Sequence, residues 1–313
     1  MMVCVLAVLF SASGWFTVAE TGGEVHPLDC RMDEAGNYHL DLAADSFVTR
    51  YVYDPDGIEL SSWITEPAPE RLEFSFGSTP DDEGYSHQLL CSREGVSLWT
   101  IELGAVTCMD ELPAMVVPDL QGGCIAVFET PENSGIWKVL RCDSSGVTVL
   151  EGEFEMGGGP MISVSDACAL PGGGAAMTGV TDKYGMNTFM FLVVLDHRGD
   201  LLFSVTDSLL YHGAGTLLFA DSTGVTVAGY TGLERPDGFF MPPYDSDVFI
   251  SRYDMEGNEV WRTIVELPRE NRPVTLHCAS PGSAVLTVSS FDYEGHNRRS
   301  YAIMDFDLNR AGP

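Results

Sequence analysis

The sequence predicts an all-β fold, a six-bladed β-propeller of four-stranded blades whose last blade is completed by an N-terminal strand. Three observations carry this. The first is a recurring turn: Asp54-Pro-Asp-Gly57, Ser92-Arg-Glu-Gly95, Asp143-Ser-Ser-Gly146, Asp196-His-Arg-Gly199 and Asp254-Met-Glu-Gly257, with a sixth copy beginning at Asp307. Asp opens a type I turn with its side chain and Gly supplies the positive φ of the bulge that follows, so each copy marks a hairpin. The second is an apolar run after a small-residue turn, as in Gly123-Cys-Ile-Ala-Val-Phe128, Gly174-Ala-Ala-Met-Thr-Gly179, Gly224-Val-Thr-Val-Ala-Gly229 and Ser283-Ala-Val-Leu-Thr-Val288. Together they give a period of about 50 residues with four short strands per unit. The third is negative: no stretch longer than about ten residues holds a 3.6-residue period, which leaves no place for a substantial helix.

Taken in order, residues 1–10 are apolar without a break, too short for a membrane span and suited to the core of a signal peptide. Ser11, Ala12 and Ser13 follow, so cleavage after Ser13 would leave residues 14–313 as a single domain. The alternative is that Phe10-Ser-Ala-Ser-Gly14 ends a strand of a truncated extra blade. The first blade occupies 24–63, with Cys30 on its inner strand. The second is short: strands at 71–76, 87–91 and 96–102, an acidic loop at 80–84, and an inner strand interrupted by Pro67 and Pro69 or absent. The third spans 114–154 and the fourth 161–206, where Phe189-Met-Phe-Leu-Val-Val-Leu195 is apolar throughout, as suits a strand covered on both faces.

The fifth blade begins with an inner strand at 216–220 and continues to 266. The sixth runs from 274 to 307 and lacks its outer strand. Trp15-Phe-Thr-Val-Ala-Glu20 matches Trp261-Arg-Thr-Ile-Val-Glu266 at Trp, Thr and Glu, and is expected to supply that strand by pairing with 300–306, which removes an exposed edge.

Composition narrows the function. The chain carries 46 acidic against 16 basic residues, a formal charge of −30, which argues against nucleic acid and against anionic membrane surfaces as partners. Gly 33 and Pro 17 suit a turn-rich β protein. Beyond the leader no segment is apolar and long enough to span a membrane. The expectation is a monomeric exported protein, periplasmic or extracellular, with a protein or glycan ligand and no cofactor.

The repeat resembles those of bacterial secreted β-propellers of the pyrroloquinoline-quinone-like and related repeat families, over roughly residues 14–313. Gly95-Val-Ser-Leu-Trp99 and Gly257-Asn-Glu-Val-Trp261 are similar to the Gly-x-x-x-Trp end of the tryptophan-docking motif. Asp254 stands three residues before Gly257 instead of four, the Thr before the Gly is missing, six units stand where the quinone enzymes carry eight, and there is no adjacent Cys pair. The resemblance implies the fold and little about activity. Ser92-Arg-Glu-Gly-Val-Ser-Leu-Trp99 also resembles, in outline, the Asp box of six-bladed sialidases, but Glu94 replaces the Asp and Gly95 comes one position early. Ordinary turn chemistry accounts for it.

No Gly-x-Ser-x-Gly, Walker loop, Gly-x-Gly-x-x-Gly, His-Glu-x-x-His or Cys-x-x-Cys is present, so the expectation is a non-catalytic binding module. The alternative is a carbohydrate-active hydrolase or lyase, which needs two carboxylates across one pocket. Cys30, Cys168 and Cys278 sit at similar points of inner strands and read as small apolar fillers near the axis, with no metal expected. Cys124 and Cys142 flank a hairpin and are expected opposite one another, in a non-hydrogen-bonded pair at about 4.5 Å between Cα atoms; a disulfide and two reduced thiols are both open.

Binding is assigned to loops of one face, where strand B leads to C and D to the next A. The longest, 230–247, carries Arg235, Phe239, Phe240 and Tyr244. Arg269 and Arg272 precede the sixth blade, and His296, Arg298 and Arg299 lie in its own B to C loop. In so acidic a chain this cluster reads as an anion-binding groove in which arginine forks take carboxylate or sulfate groups while aromatics stack on the apolar part of the ligand. Pairing with Glu234, Asp237, Glu270 and Glu294 is the plainer reading.

Overall fold

The computed structural model describes the chain except residues 1–3, 7–14, 21–24, 34, 36, 45–46, 55–57, 66–71, 82–83, 94, 107–113, 119–121, 130–135, 156–160, 183–187, 208–212, 233–245, 267–269, 281, 293–297 and 309–313. Among the described residues every regular element is a strand, and no helix is long and apolar enough to cross a membrane. After β1 (Cys4–Leu6) and β2 (Trp15–Glu20), the chain forms one antiparallel meander after another. The first is β3 (Val25–Met32), β4 (Tyr38–Ala44), β5 (Phe47–Tyr53) and β6 (Glu59–Thr65). A three-stranded sheet follows: β7 (Glu73–Asp81), β8 (Gly84–Arg93) and β9 (Val96–Val106).

The third sheet is β10 (Ala114–Pro118), β11 (Cys124–Glu129), β12 (Ile136–Cys142) and β13 (Thr148–Glu155). The fourth is β14 (Met161–Ala169), β15 (Ala175–Asp182), β16 (Thr188–Leu195) and β17 (Leu201–Asp207). Next come β18 (Ala214–Asp221), β19 (Gly224–Gly232), β20 (Ser246–Asp254) and β21 (Glu259–Val265), and finally β22 (Glu270–Ser280), β23 (Ser283–Asp292) and β24 (Arg298–Asp307).

The meanders are arranged as propeller blades are. First strands adjoin in succession: β7 lies by β10, β10 by β14, β14 by β18, β18 by β22, and β22 by β3. Each apolar core is drawn from two consecutive sheets. Trp137, Val139 and Leu150 pack with Met177, Phe191 and Val193, while Met190, Leu192 and Val194 on the other face of β16 pack with Val225, Val227 and Phe249. This is why β16 is apolar and buried at every position from Phe189 to Leu195. Outer strands alternate instead, β13 burying Leu150, Gly152 and Phe154 and exposing the residues between.

The turn chemistry is as expected. Asp143 N bonds Val147 O at 3.0 Å while its carboxylate accepts the amides of Ser145 and Val147; Asp196 and Asp254 repeat the arrangement. The copy at Ser92 differs. Arg93 pairs directly with Val96, a two-residue loop, so the sequence there is neither the three-residue turn nor an Asp box. The acidic loop of the second unit is also tighter than expected, because β7 continues through Pro80 and Asp81 pairs with Gly84. With β7 lying against β10, the expected separate inner strand is not among the described residues.

A docking device joins neighbouring sheets at these turns. Gly146 has φ +83, and a Cβ there would come 2.8 Å from the Trp99 ring, whose Nε1 donates to Ser144 O at 3.3 Å. Phe203 covers Gly257 in the same way, and Trp261 stacks on Phe306 with ring centroids 6.4 Å apart. Trp99 is half-buried, so Trp99→Ala should lower stability by about 2 kcal/mol, less than a fully buried aromatic. Urea unfolding is the check; a change within error would show that the indole does not cement the second and third sheets.

β2 pairs with β24, Trp15 opposite Met304 and Glu20 opposite Arg299, as the sequence match implies. β1 lies outside it, with Cys4 opposite Ala19, so β2 is not the edge.

Candidate ligand-binding face

The long excursion 233–245 leaves β19 and returns at β20, and both of its roots are fastened to the start of β22. At the returning root, Ser246 and Asn271 are fully buried and bond reciprocally. Ser246 Oγ donates to Asn271 O at 2.9 Å and accepts from Asn271 N at 3.1 Å, while Asn271 Nδ2 donates to Ser246 O at 2.9 Å. Ser290 Oγ completes the set by donating to Asn271 Oδ1. Beside them Ser246 and Glu270 make a parallel bridge that joins the fifth and sixth meanders. No polar group of Asn271 is left to be desolvated without a partner, which makes this a rigid junction.

At the departing root, Arg272 places its guanidinium carbon 3.5 Å from the centre of the Tyr230 ring. Such a contact contributes roughly 0.5–2 kcal/mol depending on exposure. It engages the flat face of the guanidinium, whose N–H donors lie in its plane. Local sequence explains the placement: Tyr230 and Ala228 share one side of β19 by alternation, and Ala228 packs in the core toward the sixth sheet.

Of the residues assigned to the groove, Arg235, Phe239, Phe240, Tyr244, Arg269 and His296 lie outside the described residues. Arg298 and Arg299 open β24, opposite Asp292 and Phe291. Other arginines are committed elsewhere. Arg50 forks onto Asp41 at 2.6 and 2.5 Å, buried Arg252 donates to Asp221, Thr223 and Thr226, and Arg262 joins Asp207 and Glu259. Arg141 reaches Gly173 O in the fourth sheet at 3.4 Å.

Sequence reasoning missed Asp166. It follows a bulge on β14, and its Oδ2 accepts the Leu218 amide of the next sheet's β18 at 2.7 Å while Oδ1 accepts the Ala167 amide at 2.9 Å. Burial pushes its carboxyl up to about 7, against the pull of those two bonds. The only sequence signal was an acid on an inner strand, and Asp29 on β3 gives the same one.

No family model matches this sequence, and no curated protein matches it. Solved structures do. A subtype N10 neuraminidase-like protein of A/little yellow-shouldered bat/Guatemala/060/2010 is 9% identical, with 97% of this chain and 99% of that one covered and a TM-score of 0.45. The NanB sialidase from Streptococcus pneumoniae is 10% identical at a TM-score of 0.40, covering 94% of this chain and 54% of that one. The quinohemoprotein alcohol dehydrogenase ADHIIG from Pseudomonas putida HK5 is 9% identical at 0.34, covering 90% and 60%. These are propeller proteins, in keeping with the sheet arrangement. The expectation that the chain is no enzyme is not kept: the matched structures include a neuraminidase-like protein and a sialidase, at 9% and 10% identity. Likeness at this level transfers no activity to this chain.

Proposed function

We propose that this chain is an exported six-bladed β-propeller, its ring completed by β2 against β24, and that it recognises an anionic ligand on the face where the 233–245 loop meets the sixth sheet. The observation that carries this reading is the fastening of both loop roots to β22, with Arg272 stacked on Tyr230 between them. A loop of that length on a rigid base is where propellers and other scaffolds carry recognition. The ligand chemistry follows from arginine in an acidic chain: carboxylate or sulfate groups, as in acidic glycans and peptides. Arg235, Phe239, Phe240, Tyr244, Arg269, His296, Arg298 and Arg299 are the other residues assigned to the proposed groove.

A carbohydrate-active hydrolase or lyase would use the same ligand chemistry, so the assay reads both binding and product release. Probes are sulfated dextran, polygalacturonate and a poly-glutamate peptide. Arg269→Ala with Arg272→Ala should abolish binding to whichever probe the wild type retains, at an unchanged circular dichroism spectrum. Arg272→Lys alone should weaken it about tenfold, since lysine keeps the charge and loses the fork. Undiminished binding by the double variant would return these arginines to the role of surface charge partners.

A further inference from the structure

We propose that Cys124 and Cys142 form a cross-strand disulfide that fixes the third sheet beneath the turn on which Trp99 docks. The two lie directly opposite in the β11–β12 register, and both are fully buried. The pair type follows from the neighbouring turn. Asp143 N bonds Val147 O across to β13, so by alternation the Cys142 amide and carbonyl face β11. Cys124 and Cys142 are therefore a hydrogen-bonded pair, a correction to the non-hydrogen-bonded pair expected from sequence. The Cα separation for such a pair is about 5.5 Å, inside the range of native disulfides, and the two side chains, free thiols in this structure, are joined by a hydrogen bond. The Cβ atoms of a hydrogen-bonded pair stand wider than a relaxed disulfide holds them, so closing the bond draws β11 and β12 together at this point.

Their surroundings are apolar. Cys124 and Cys142 pack with Leu89, Ala126, Phe128 and Leu140, an apolar layer between the second and third sheets. Cys142 Sγ has Thr148 Oγ1 at 4.0 Å. The hydrogen bond from Cys124 holds the Cys142 thiol below its ordinary value, whereas burial pushes the Cys91 thiol of the second sheet up.

The electron acceptor is a small-molecule disulfide of the glutathione type. The Cys142 thiolate attacks one of its sulfurs, which forms a mixed disulfide and releases one thiol. The Cys124 thiolate then attacks the Cys142 sulfur and releases the second. Two protein thiols give up two electrons and two protons, and the two released thiols take them up. Because both residues are buried in the folded chain, the exchange belongs to folding, before the third sheet packs on the second.

The full-length chain is refolded from denaturant and reductant into a glutathione redox buffer, quenched in acid, alkylated and digested without reduction. Trypsin leaves Cys124 with Cys108 on the peptide 94–138 and Cys142 with Cys168 on the peptide 142–183, so fragmentation of the linked peptides assigns the bond. The expected result is a linked Cys124/Cys142 pair and two fewer alkylated thiols than in the chain refolded with reductant. Cys91→Ser should keep the link and Cys142→Ser should lose it. The oxidised chain should also melt about 5 °C above the reduced one. Full alkylation of both cysteines, or their joining to other cysteines, overturns the proposal; this readout needs only the wild type, so a poorly folding variant does not weaken it.

Discussion

Deleting residues 14–22 should lower the stability of the protein by several kcal/mol, with a fall in Tm on the order of 10 °C. The deletion removes β2 and with it six register pairs to β24, from Trp15–Met304 to Glu20–Arg299. It also strips β24 of its neighbour. Ala302, Ile303 and Met304 are buried to 3%, 0% and 2% exposure, and Met304 belongs to the core shared with Trp261, Leu276 and Leu286. Uncovering even two such side chains costs roughly 3–5 kcal/mol by area. The edge left behind is an apolar strand paired only with β23, a template for association on its open side, so the variant should also gain a tendency to aggregate on heating. Calorimetry with light scattering in parallel reads both effects. A deletion variant that melts with the full chain would show that β2 adds an edge and supports nothing.

The turns and the strand they close were legible because their chemistry is local. In Asp143-Ser-Ser-Gly146 the carboxylate that accepts two amides and the glycine at φ +83 are three residues apart, so the sequence contains the whole device. The β2–β24 pairing was legible for a different reason: a repeat unit short of one strand leaves a gap that only a matching segment fills. What could not be read is set by contacts between units. Ser92-Arg-Glu-Gly95 carries the Gly of the repeat but without the Asp the hairpin closes one residue tighter. Tyr230 and Arg272 are far apart in the chain and meet only because β19 and β22 belong to neighbouring sheets. Asp166 is the extreme case, since what makes its carboxyl unusual is burial against another sheet, which raises it despite the bond from the Leu218 amide.

Asp166 sets the second large effect, an opposite pH dependence from that of the turn aspartates. Its carboxyl titrates at about 7 in the folded chain against 3.8 for the ordinary side chain. Below pH 3.8 both folded and unfolded chains hold the proton. Between pH 4 and 7 the unfolded chain releases it and the native one keeps it, so stability is lost as pH rises across that window. Above 7 the loss is complete and constant, on the order of 4 kcal/mol. Asp143 and Asp254 act with the other sign: Ser145 and Asn258 hydrogen bonds hold their carboxyls below the usual range, so their stabilisation is present above pH 4 and lost on acidification. The two windows do not overlap, which makes the contribution of Asp166 separable. Asp166→Asn keeps the acceptor for the Leu218 amide and removes the charge. Relative to the wild type it should be near neutral at pH 4 and more stable at pH 8, the difference growing through pH 5 and 6 and levelling off above 7. Urea unfolding of both chains at five pH values measures it; parallel curves from pH 4 to 8 would mean that Asp166 ionises in the folded chain as it does in the unfolded one, and that burial between β14 and β18 does not govern its proton.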